Sequence, residues 1–154
     1  MRPLTVAVAM LALGAALPAR AQDRAAAAEI QPRVEHHVRA AALLARHFET
    51  LVAAACPRFG TVDEWSVYVE GEVDRMLLLA AHVEQAWVEA KRTGDDEVRR
   101  AAKVPRRRLD DAPQIMDKLA VCAQDNGTTF AAGAAYRRIE RSLPQRQSEI
   151  ALPR

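Results

Sequence analysis

Three glycines, Gly60, Gly94 and Gly127, each stand where an amphipathic pattern stops, and they cut the chain into segments whose apolar residues recur every three or four positions. That period belongs to helices with one buried stripe, so the chain is expected to fold by packing helix against helix. The composition agrees, because 32 of the 154 residues are Ala and only six are Gly. Ala loses least on entering a helix and Gly loses most, which excludes an all-β fold.

In the first segment Ile30, Val34, His37, Ala41, Leu44, Phe48, Leu51 and Ala55 make one continuous stripe. The helix is expected to end near Cys56-Pro57, with Cys56 its last residue. The second helix opens on Thr61-Val62-Asp63-Glu64, a capping box in which hydroxyl and carboxylate satisfy free backbone donors reciprocally. Its stripe runs Trp65, Val69, Val73, Met76, Ala80, Val83, Trp87, Ala90. Leu77 to Leu79 widen it, which predicts deep burial in mid-helix, with a self-association surface as the alternative.

After Gly94 the pattern weakens. Asp95 to Lys103 fits a short capped helix, Pro105 and three arginines interrupt it, and Asp110-Asp111 start a third segment carrying Leu109, Ala112, Met116, Leu119 and Ala123. Asn126-Gly127 ends that segment, and the same turn chemistry accounts for the glycosylation-like Asn126-Gly127-Thr128. Thr128 or Thr129 is expected to cap a fourth helix through Ala132, Tyr136, Ile139 and Leu143, terminated by Pro144. The fold class is then all-α, an up-down-up-down four-helix bundle with one disulfide. Residues 22–144 form its single domain and 145–154 a flexible C-terminal tail.

Residues 1–21 carry Arg2, an apolar run from Leu4 to Leu17, and Ala19-Arg20-Ala21 as a small-x-small site. This is the pattern of a cleaved secretory signal peptide; the run falls short of the ~20 residues that span a bilayer. It predicts export to the periplasm or beyond, with no membrane span left after cleavage. Two cysteines in an exported chain usually pair. If short loops make neighbouring helices antiparallel, Cys56 and Cys122 reach the same end of the bundle, and a Cys56–Cys122 disulfide follows.

Export also changes the charge. The whole chain has 22 Lys+Arg and 20 Asp+Glu; losing Arg2 and Arg20 with the leader brings it to zero. Residues 22–98 then carry -6 and residues 99–154 carry +6, so the two halves should attract. The densest run, Arg99, Arg100, Lys103, Arg106, Arg107 and Arg108, has no interleaved aromatic to stack a base, and export argues further against nucleic acid. It is read either as a contact patch for an envelope protein or anionic surface, or as a solvated connection paired with acidic residues of the first hairpin or its own flanks, such as Asp95 to Glu97 and Asp110-Asp111.

Three of the four histidines, His36, His37 and His47, fall on the first helix. His36 and His37 are about 100° apart around it and cannot chelate one ion as an i, i+4 pair would. With the hairpin turn centred near Phe59, however, His37 comes opposite His82, with Glu35 and Glu84 at similar height. His37 or His36, His82 and a carboxylate would suit Zn or another borderline divalent metal. The same register sets His47 near Glu70 and Glu72, an ordinary ion pair between helices.

Catalytic and cofactor signatures are missing: no Gly-rich phosphate loop, no G-x-S-x-G, no His-Glu-x-x-His, and no Cys-x-x-Cys-His for haem. The expectation is a non-catalytic exported binding or interaction module without a cofactor. The alternative is a periplasmic metal-binding or metal-sensing bundle built on His36, His37 and His82.

Overall fold

The computed structural model describes residues 19–152, with side chains from residue 26 onward, and the regular structure among these residues is entirely helical. Helix α1 spans Ala19–Ala53, α2 Val62–Ala90, α3 Asp96–Lys103, α4 Ala112–Asp125 and α5 Ala132–Ile150; a 3-10 segment, Val104–Asp111, joins α3 to α4. The expected leader lies outside the described residues apart from Ala19 to Ala21, which open α1.

With α1 taken as descending, α2 climbs back along it. Helix α3, the 3-10 segment and α4 then form one broken descending arm, and α5 climbs again. The result is the expected four-helix bundle. At its lower end Cys56 and Cys122 are bonded, their Cα atoms 5.1 Å apart. At its upper end Arg33 donates to the carbonyl of Leu152, tying the end of α5 to α1.

Helix α2 is the central element and touches every other one. This explains the wide apolar arc at Leu77 to Leu79: Leu77 and Leu79 are buried and Leu78 half-buried, because a helix covered on several sides needs more than one apolar face. The main core lies in the middle and lower bundle, where Phe48, Met76, Leu79, Ile115, Met116 and Leu119 interlock. A smaller upper core of Ala27, Ile30, Val34, Ala86, Ala90, Val98 and Ala102 holds α3 against α1 and α2. Around the disulfide, Trp65 is buried against Phe59 and Tyr68.

Local signals set the element ends. The capping box forms, with Glu64 N–H donating to Thr61 Oγ1 at 3.2 Å and Thr61 N–H to the Glu64 carboxylate at 3.2 Å. Asp95 caps α3 by accepting from the N–H groups of Glu97 and Val98. Gly127 closes α4 with φ at +71°, a conformation that favours glycine. Beside it Asn126 donates to the carbonyls of Pro57 and Cys122 and accepts from Phe59 N–H, fastening the α1–α2 loop to α4 next to the disulfide.

Three boundaries differ from expectation. Cys56 lies three residues beyond the end of α1 rather than inside it, since the following Pro57 disfavours helical backbone at its predecessor. Neither Thr128 nor Thr129 caps the last helix: Thr128 N–H is used to close α4 on Ala123, and α5 starts after Ala131 without a side-chain cap. Pro144 does not terminate α5, and the expected tail is helical to Ile150. Pro144 and Glu140, whose carbonyl loses its donor, both face solvent, so water can satisfy that carbonyl. Arg146 paired with Asp74 at 2.7 Å, and the Arg33 contact to Leu152, hold the continuation in place.

The charge separation is used internally. Arg106 reaches Glu84 at 3.6 Å, Arg108 reaches Glu49 at 2.6 Å, and Arg146 reaches Asp74, each joining the basic part of the chain to α1 or α2.

Candidate metal centre

The α1–α2 hairpin has one register along its length. His37 meets His82 and His47 meets Glu72, two pairs placed symmetrically about a point between Phe59 and Gly60. The lower pair is structural. Glu72 is only 3% exposed and accepts from His47 Nε2 at 2.6 Å and Arg75 at 2.9 Å, so its buried charge has a partner on each oxygen. Glu70 stays exposed.

The upper pair is different. His37 Nδ1 and His82 Nδ1 lie 2.9 Å apart, with His37 0% and His82 7% exposed. A contact between two ring nitrogens needs one proton, so one Nδ1 donates and the other accepts. The remaining ring nitrogen of His37, Nε2, is buried with no partner. Buried polar atoms are nearly always partnered in native proteins, and an ion bound at the Nδ1 pair would leave this one as it stands.

His36 completes the cluster from the exposed edge. Its ring centroid is 5.1 Å from that of His37 and 6.0 Å from that of His82, and one nitrogen from each of the three rings can be chosen so that all lie within 4.8 Å of one another. Around their own helix His36 and His37 diverge by about 100°. Both contribute, because His82 sits at the seam between the helices, where one ring reaches it from inside and the other from the edge. The expected carboxylates do not join: Glu35 is engaged by Gln31 and Arg39 on its own helix, and Glu84 by Arg106.

A carboxylate that does act on His37 was not among those expected. Glu89 is 4% exposed, accepts from Gln85 at 3.2 Å and from Arg92 at 2.7 Å, and its negative charge favours the protonated form of His37, raising that ring's pKa. His82, Gln85 and Glu89 follow one another at spacings of three and four, so a shared helix face was the available signal.

Burial first, then the His82 and His36 rings, outweigh Glu89 and bring His37 from an ordinary 6.5 down to about 4. Burial, then His36, also lowers His82. Near neutral pH both inner rings are therefore uncharged, the form in which imidazole offers a lone pair to a metal.

No family model matches this chain, and neither does any curated protein or solved structure compared with it. The residues must carry the functional reading themselves. The two cysteines are consumed by the disulfide at the opposite end. The basic run is dispersed: Arg106 and Arg108 hold ion pairs, Lys103 lies over the Trp87 ring at 5.4 Å, and Arg99 is half-buried. Within the run, Arg100 and Arg107 are exposed with neither an ion pair nor an aromatic contact among the described residues.

Proposed function

We propose that the protein is an exported, non-catalytic binding module that holds a borderline divalent cation, of the zinc class, on His36, His37 and His82. The observation that carries this reading is the buried approach of His37 Nδ1 to His82 Nδ1, with a ring nitrogen of His36 close enough to serve as a third ligand. A tetrahedral ion with metal–nitrogen bonds of 2.0–2.1 Å separates its ligand atoms by about 3.3 Å. The inner pair, at 2.9 Å, is within a few tenths of an ångström of that spacing. His36 has farther to move, and being exposed it can turn between rotamers at a cost of about 1 kcal/mol.

Export is supported by the leader pattern and by the disulfide, which persists in oxidising compartments. Among the described residues no helix is long and apolar enough to cross a membrane. The reading of the basic run as a contact patch for an envelope protein or anionic surface has less support, since three of its six cations are held by Glu84, Glu49 and Trp87.

Zinc titration of the purified, metal-free protein by calorimetry tests the proposal. One ion should bind saturably. His36→Ala should weaken it at least about tenfold, and His37→Leu or His82→Leu should abolish it, with helical circular dichroism reporting whether each variant still folds. Binding that ignores all three substitutions, or no saturable binding, would overturn it.

A further inference from the structure

We infer that the ion held by the three histidines keeps one coordination position open on the His36 side, and that a small anion from solution occupies it. This rests on the metal reading above and adds to it the identity of the fourth ligand. A zinc-class ion takes four ligands, and three protein ligands with one exchangeable position is a recurring alternative to a closed site. The described residues gather three donors at this place and no fourth.

The nearby carboxylates are committed elsewhere. Glu35 accepts from Gln31 and pairs with Arg39, Glu84 pairs with Arg106, and both oxygens of Glu89 are taken by Gln85 and Arg92. Recruiting any of them would strip an arginine or a buried amide of its partner. The start of α1 is too distant to help: residue 25 is eleven positions before His36, about 16 Å along the axis. Thiolate is excluded because both cysteines are bonded.

The direction of the open position follows from burial. His37 is completely enclosed and His82 nearly so, whereas His36 is exposed, so the fourth position faces solvent beside His36. Its charge preference follows from the ligand set. Three neutral imidazoles leave the full double charge on the ion, which favours an anionic fourth ligand. Arg33 and Arg39 stand three residues before and after His36 on the same helix and add positive potential to the approach, while Glu35 offsets part of it through Arg39. The class of ligand is a small monodentate anion, such as a halide, a pseudohalide or a single carboxylate oxygen.

Cobalt(II) is the probe, because it replaces zinc and its visible bands respond to coordination number and ligand exchange. Loaded protein should show the intense bands of four-coordinate cobalt, and azide titrated into it should shift them saturably, with chloride competing. In a Glu35→Gln background, which keeps that carboxylate from taking the open position, Arg39→Ala should weaken azide binding roughly two- to five-fold, the scale of one exposed charge interaction, without changing cobalt affinity. Four-coordinate bands insensitive to azide and chloride would overturn the open position while leaving the metal site standing. An absence of cobalt binding would overturn both.

Discussion

The chemistry of this protein concentrates in one residue. His37 is enclosed and uncharged, and its burial makes folding sensitive to acid. The unfolded chain takes up a proton near pH 6.5, whereas the folded chain resists until about 4. Stability from this group is therefore complete above pH 6.5, is lost as pH falls toward 4, and falls no further below that. At 1.36 kcal/mol for each pKa unit, the loss reaches at most about 3 kcal/mol. Urea denaturation at pH 7.5 and 4.5 should show this difference, and His37→Leu should remove the larger part of it, leaving a remainder from His82. A His37→Leu variant with the parent's full acid sensitivity would locate the titration elsewhere. The meeting of His37 and His82 was legible in the sequence, because a hairpin with a short turn has only one register. His36 was a candidate from the sequence as well, but that it reaches His82 alongside His37 depends on where the seam between two helices runs, and spacing around one helix carries no information about that.

At the scale of elements, the helix stops and the caps of α2 and α3 were readable because they act within a few residues of themselves, whereas the cap expected for the last helix at Thr128 or Thr129 does not form. Thr61, Asp95 and Gly127 each sit where their backbone role requires. The end of α5 was not readable, because it is decided by Asp74 and Arg33 on other helices against the local preference of Pro144. That competition is measurable. Pro144→Ala restores a donor for the Glu140 carbonyl, and after the entropy regained by the unfolded chain is subtracted, the variant should gain roughly 1–2 kcal/mol, seen as a raised denaturation midpoint. If residues 145–150 were frayed, the same substitution would be neutral. The Arg106 and Arg108 pairs show the same division: the sequence showed that the halves attract, and only packing selected Glu84 and Glu49 over the acids flanking the run.

Across the whole molecule, the disulfide and the central helix divide the labour. Cys56 and Cys122 are 66 positions apart, and a covalent loop of that length limits the unfolded ensemble enough to contribute about 4 kcal/mol by chain entropy. Cys56→Ser with Cys122→Ser should lose stability on that scale without losing helical content in dilute buffer, and thiol reduction of the parent should match it. A parent indifferent to reduction would contradict the bond.

The covalent tie is at one end only. His37 is 16 residues before the end of α1 at Ala53, about 24 Å along the helix, and the packing above the histidines is made largely of alanines, which bury little surface each. The upper end is therefore where transient separation of α1, α2 and α3 costs least, while the lower end remains clamped. An ion seated between His37 and His82 would escape at the rate of that partial parting rather than at the far slower rate of complete unfolding. Its residence time would be set by the weak upper packing as much as by the strength of three nitrogen bonds.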